Sequence, residues 1–421
     1  MSKLLPLFTA ALVFVPITMP ASAQHLRVAG RVVTADPSLF NLASYAEATG
    51  VRLASPDHAS DDNGKTWSAS SAKPDFAAGL PYGFRREPAG MVVDPKNGRL
   101  LSIYNALDTP GVDPNAVEPP IALNEYYLRY RVSEDGGRTW LFDEPIVHTG
   151  FTEKRPFEGI VRGANGLFTG DLGSLPIITR TGRILLPAQA TILGADGKLW
   201  NPAGTLTFTD VFTINGTWND KGRLEWTASP RVSMAQERST RGMIEPTLAQ
   251  FGDGRILMVL RGSNSGKPAL PSCRWFSISK DDGDTWSAPE PWGYDDGQPF
   301  FSPSSMSTLI RHSSGRIFWV GNISPENCRG NDPRYPVVIG EVEPKSLRLQ
   351  KSSVLEFDTK RPEDADRGRE LLGDFNGRVD LSHFWVIEDR VTHELVITYP
   401  RAFGGYKKSD WATVRVEVGE P

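Results

Sequence analysis

Residues 133–140 read SEDGGRTW, which sets a hydroxyl (Ser133), a carboxylate (Asp135), a second hydroxyl (Thr139) and an indole (Trp140) close together. Met alone, such a group would suit general acid–base or nucleophilic chemistry. The string recurs, however, as SDDNGKTW at 60–67 and SKDDGDTW at 279–286. A catalytic carboxylate is not needed at every repeat of a fold, so the recurrence points to structure. Asp135 can accept backbone N–H bonds within its turn, and Gly137 can take the left-handed conformation there. Ser133 bonds locally and Trp140 packs as the strand departs. Asp62 and Asp281 fall under the same reading. The boxes are expected to be folding staples that face away from any active site.

Other residues with chemical potential are few. Cys273 and Cys328 permit one disulfide in an oxidising compartment, and no activating His stands near either in sequence. DxDxDG-type loops and His–Cys clusters are absent from the sequence, so neither a metal nor a cofactor is expected. The acidic pairs Asp295–Asp296 and Glu363–Asp364 read as solvated turns. A net charge of -4, mixed in sign along the chain, leaves no nucleic-acid footprint and no polybasic membrane face. At the N-terminus, MSKLLPLFTAALVFVPITMPASAQ carries Lys3, a short apolar stretch broken by prolines, and Ala21-Ser22-Ala23. This predicts a signal peptide over 1–23, with the mature chain starting near Gln24 as a single domain over 24–421. The protein is therefore expected in the periplasm or outside the cell, with no membrane span. Oligomeric state is not readable.

The elements that must position any site are β-strands. Forty Gly, 33 Pro and 11 Trp accompany short apolar runs punctuated by Asp-Gly and Asn-Gly, with no long stretch at helical spacing. An apolar strand, a polar turn and Gly-Arg-apolar-apolar recur at 90–104, 175–188, 246–260 and 307–321, and a divergent copy spans 381–399. The boxes alternate with these hairpins, and a degenerate copy, VFTINGTW, ends at Trp218. Such units predict four-stranded antiparallel blades of an all-β, six-bladed β-propeller, with five blades as the fallback. Residues 27–67 carry a box without a readable hairpin; ring closure would let N- and C-terminal strands share a blade, with 412–418 as the candidate partner. Residues 358–380 read as a charged surface excursion.

The boxes, with hairpins in phase over about residues 50–400, resemble the Asp-box (bacterial neuraminidase repeat) of the sialidase superfamily. That resemblance implies a propeller that acts on a terminal anionic sugar, with arginines for its carboxylate, a nucleophile and a general acid. The first arginine of the family matches Arg86 in FRREPAGMVV, with Arg85 as its neighbour and Glu87 where the family has Ile. Glu245 and Arg261 match the family's Glu and Arg at the two ends of a hairpin, sixteen residues apart. The third arginine matches Arg334 or Arg329. The acid matches Asp108 or Asp113. At the family's tyrosine this chain has Leu381, which cannot be a nucleophile; Tyr335, Tyr399 or Tyr406 could stand in, and His383 could act as a base. The leading expectation is a secreted exo-glycosidase of sialidase type on an anionic glycan terminus. A uronate-directed lyase, another glycosidase, or a non-catalytic carbohydrate- or protein-binding propeller are the alternatives.

Overall fold

The polar turns between apolar runs fold as expected. Phe84–Val93 pairs with Leu100–Asp108 around Gly98, Ile244–Gln250 with Ile256–Arg261 around Gly254, and Thr308–Arg311 with Ile317–Asn322 around Gly315. All three glycines have positive φ, between 72° and 96°, where an L side chain is strained. The computed structural model describes residues 25–36, 42–55, 57–69, 80–113, 122–204 and 207–420. The expected signal segment 1–23 lies outside them.

Six antiparallel sheets result, spanning 44–69, 84–145, 167–228, 244–292, 308–358, and 379–418 joined by 26–34. They are the six blades of a β-propeller, numbered here in that order. In the sixth, the N-terminal strand Leu26–Thr34 is outermost and runs antiparallel to Lys408–Val418, from Leu26 opposite Val418 to Thr34 opposite Trp411. This is the anticipated ring closure. The segment without a readable hairpin forms blade one from strands of only two or three residues. Polar bonds compensate for its small core: Trp385 Nε1 donates to the Ala43 carbonyl at 2.8 Å, and Arg52 Nε to that of Gly136 at 2.8 Å.

The main apolar clusters lie between neighbouring blades. Leu128, Tyr130, Leu186 and Phe212 join blades two and three; Leu257, Trp292, Trp319 and Val338 join four and five; Phe318, Ile339, Leu395 and Val414 join five and six. Among the described residues no helix is long and apolar enough to cross a membrane.

The boxes close the turns between third and fourth strands. Asp135 Oδ1 accepts from the Ser133 hydroxyl (2.8 Å) and the Thr139 amide (2.7 Å), its Oδ2 accepts from the Thr139 hydroxyl (2.6 Å), and Ser133 Oγ accepts from the Gly137 amide (2.8 Å). Asp62 and Asp281 repeat the pattern. The degenerate copy differs: Trp218 ends the strand Thr209–Trp218, and Asn219 makes the turn instead by accepting from the Lys221 and Arg223 amides. Having lost Ser and Asp, that segment has no acceptors to build a box.

Two further expectations change. The excursion at 358–380 contains the helix Asp364–Leu372, and Asp364 is buried rather than solvated because Arg401 Nη2 donates to both its oxygens at 2.7 and 2.8 Å. Both cysteines are free. Cys273 Sγ donates to the Pro271 carbonyl, and burial pushes both thiols up.

Candidate functional site

In an antiparallel blade the innermost strand begins, the second ends and the third begins at one rim; the boxes occupy the other. At the first rim the innermost strands are irregular. Register shifts between Pro88 and Gly90 in blade two and between Ile244 and Thr247 in blade four, where Glu245 has φ 49°. In blade three the innermost strand splits into Leu167–Phe168 and Ile177–Ile178, and the gap carries Asp171. Blade six splits likewise into Val379–Leu381 and Trp385–Glu388, and the gap carries His383 at φ 59°. Regular strands would aim these side chains at neighbouring blades; the breaks re-aim them.

Glu87, Asp171 and Glu245 converge on an axial cavity of about 270 Å³, lined also by Asn105, Tyr126 and Gln189. Arg261, at the end of its strand, pairs through Nη1 with Glu245 Oε1, and donates from Nε to Ser304 Oγ (3.0 Å) and from Nη2 to Asn331 Oδ1 (3.2 Å). Gln189 Oε1 accepts from the Glu245 amide at 2.7 Å, while Glu245 Oε2 is buried without a hydrogen-bond partner. Opposite, His383 Nε2 faces Asp171 Oδ2 at 2.9 Å, and its ring meets Tyr406 edge-on at 4.7 Å. Arg334 Nη1 donates to the Tyr406 hydroxyl at 3.0 Å, and its Nε lies 4.0 Å from the fully buried Asp380.

The electrostatics are unbalanced toward positive charge. Arg241, 8% exposed, lies within electrostatic reach of Arg261, Glu245 and Arg334. Its Nε is buried without a partner, and no carboxylate among the described residues reaches salt-bridge distance of it. Burial, reinforced by Arg261, pushes Arg241 down to about 9. Opposite Arg261 on the neighbouring strand, Arg274, donating to Ser302, Ser305 and the Met306 carbonyl, is pushed down to about 9 by burial as well. Burial would raise the Asp171 carboxyl, but the charges of His383 and Arg261 hold it below its usual range. Burial drives the Tyr406 phenol up to about 12, so it stays protonated at neutral pH. The arrangement can bind an anion, hold a proton donor beside it, and keep one carboxylate oxygen unspent.

The residues expected from sequence divide accordingly. Glu245, Arg261, Arg334 and His383 meet around the axis. Arg85 donates to the hydroxyl of the cavity-lining Tyr126. Arg86 sits on the opposite face of its strand from Glu87 and bonds Asp108 at 2.7 Å. Asp108 also accepts from Tyr127 and pairs with Arg162, so it is held by three partners away from the axial cavity. Asp113 is exposed beyond the turn that ends that strand, and Arg329 is exposed, its amide bonded to the Asp332 carbonyl. Leu381 is fully buried between blades five and six. Tyr399 donates to the buried Asp358, and Tyr335 packs against the same core, which leaves Tyr406 as the tyrosine of the three at the axis. Arg241 and Asp171 are not among the residues the sequence points to. TRGMIE, four residues ahead of Glu245, was the available signal for Arg241; Asp171 lies in a strand break that no periodicity marks.

The BNR repeat-like domain family matches residues 86–361. No curated protein matches the chain. Among solved structures, a protein of unknown function from Dyadobacter fermentans DSM 18053 is 15% identical with a TM-score of 0.55, covering 95% of this chain and 100% of that one. The NanB sialidase of Streptococcus pneumoniae is 12% identical (TM-score 0.50; 98% of this chain, 71% of that one), and the intramolecular trans-sialidase of Ruminococcus gnavus is also 12% identical (TM-score 0.50; 92% and 94%). At these identities the likeness speaks for the fold. The chain belongs to the BNR repeat-like domain family and is built as a sialidase-like propeller.

Proposed function

We propose that this protein is an exported glycan-processing enzyme, an exo-glycosidase of sialidase type that grips a terminal sugar acid by its carboxylate. The observation that carries the reading is Arg241, a buried cation without a hydrogen-bond partner at Nε, beside Arg261 and Arg334. A buried charge left unpaired is costly, and a ligand carboxylate entering among the three would offset that cost. At about 270 Å³ the cavity lies just below the roughly 300–1,000 Å³ range of ligand pockets, which suits one ring better than a chain. In this reading His383, held by the ionised Asp171 carboxylate, protonates the departing glycosidic oxygen, and Glu245 faces the positive charge that develops at the anomeric carbon. Water then adds its hydroxyl to that carbon and gives its proton to the site. With Leu381 at the family's tyrosine and Tyr406 held as a phenol, no tyrosine nucleophile is invoked. The test is release from a fluorogenic sialoside by wild type and Glu245→Gln, with a loss of about 10²–10⁴-fold expected for the variant. No release by wild type would defeat the reading. Export is checked separately by fractionation and N-terminal sequencing, with Gln24 expected first.

A second reading, elimination from a uronate, is favoured by His383. With Nε2–H on Asp171, a neutral ring carries its lone pair at Nδ1, which is buried and has no hydrogen-bond partner. Nδ1 would take the proton at C5 while the arginines neutralise the carboxylate; the C4–O bond breaks, a C4–C5 double bond forms, and Tyr406 protonates the departing oxygen. Ultraviolet absorbance of the unsaturated product, lost in His383→Ala, separates this from hydrolysis.

A further inference from the structure

Between blade three and the segment that joins it to blade two, a cavity of about 710 Å³ opens at the same rim as the axial cleft. It is placed there because Ala190 and Thr191 end a second strand and Asp210 stands near the start of a third. Its floor is the top of the apolar cluster that contains Phe157 and Phe212. One wall is aromatic: His148 meets Phe151 edge-on at 4.9 Å, and Phe151 is left 37% exposed.

Two charged groups in this cavity are incompletely matched. Asp210 Oδ1 is shielded from water and has no hydrogen-bond partner, and burial pushes the carboxyl up against the weaker pull of Ser233 and Arg231. Arg231 lies over the Phe212 ring at 4.0 Å and donates to the Glu158 carbonyl at 3.0 Å; burial pushes it down to about 10. The two feel each other electrostatically, yet among the described residues they form no salt bridge.

The geometry points to a second carbohydrate subsite here, for a neutral pyranose unit. A carboxylate or phosphate would meet the desolvated Asp210, and an amine would meet Arg231. A hydroxyl has neither conflict, since it donates to Asp210 and accepts from Arg231. The apolar C–H face of a sugar ring fits an exposed aromatic such as Phe151. The choice of a sugar rests on the glycan reading of the axial cleft; the mismatch of Asp210 and Arg231 does not.

The test is saturation-transfer NMR with the methyl glycosides of glucose, galactose, mannose and N-acetylglucosamine, alongside a methyl sialoside. At least one neutral glycoside is expected to bind wild type. Its affinity should fall at least tenfold in both Phe151→Ala and Asp210→Ala, and stay unchanged in Arg241→Met. Phe151 is exposed, so its variant keeps the fold even if the Asp210 variant does not; thermal melting checks both. Failure of every neutral glycoside to bind, or equal binding by the Phe151 variant, overturns the subsite. Neutral binding that depends on Phe151, together with no binding of the sialoside, keeps the subsite and defeats the axial reading instead.

Discussion

At the scale of single residues, Arg241 sets function against stability. Its guanidinium is buried beside two other arginines, and burial already pushes it down to about 9. Replacing a poorly compensated buried charge with an apolar side chain of similar length is commonly stabilising, by about 1–4 kcal/mol. Arg241→Met is therefore expected to melt at a higher temperature than wild type while losing binding of a sugar acid. Calorimetry and titration on the same preparation check both; a lower melting temperature with intact binding contradicts the assignment. Tyr406 makes a second case. As a phenol held up to about 12, it can donate a proton at neutral pH and cannot serve as an anionic nucleophile. Tyr406→Phe should lower kcat with little change in KM if elimination is the reaction, measured on a uronate substrate. Equal kcat in the variant would remove Tyr406 from the chemistry.

At the scale of elements, the boxes are acid-sensitive staples. Hydrogen bonds from Thr66 and Ser60 hold the Asp62 carboxyl down at about 2, against about 3.9 for an unfolded Asp. Asp135 and Asp281 are lowered too, where hydrogen bonds from Thr139 and Thr285 overcome burial. A carboxylate with a depressed folded value contributes stability that is present above the unfolded value and lost as pH falls through the folded one. Stability should thus decline between about pH 4 and pH 2, and Asp135→Asn should flatten part of that decline. At neutral pH the same variant is expected to cost about 1–3 kcal/mol, because the Ser133 and Thr139 donors lose a charged acceptor. Chemical denaturation across pH measures both. The staples were legible in the sequence because one turn needs Ser, Asp, Gly and Thr at fixed spacing. Blade one was not, because strands of two or three residues carry no period. Glu245, Arg261 and Arg334 were legible since they sit at the ends of readable strands. Asp171 and Arg241 were not, since breaks and loops place them, and the register shift at Pro88–Gly90 puts Glu87 at the cavity while Arg86 turns to Asp108.

At the scale of the whole molecule, the ring is closed without a covalent link. Leu26–Thr34 is the outer strand of blade six, and beyond its backbone ladder Arg31 reaches the buried Asp358 at 2.7 Å. Removing residues up to 35 should leave Lys408–Val418 as an open edge, lower the melting temperature and promote self-association, as read by calorimetry and light scattering. A truncated chain that melts like wild type and stays monodisperse would show that closure contributes little. The propeller has a further consequence for the site. Its second, third, fourth and sixth blades each contribute an irregular innermost strand, so the cleft exists only when the ring is complete. In the proposed function this cleft holds a sugar by its carboxylate. The most direct measurement is calorimetric titration with N-acetylneuraminic acid and its methyl ester, on wild type and Arg261→Met. Wild type is expected to bind the acid and to bind the ester at least tenfold more weakly, and the variant to bind both equally weakly. Equal affinity of wild type for acid and ester would contradict it.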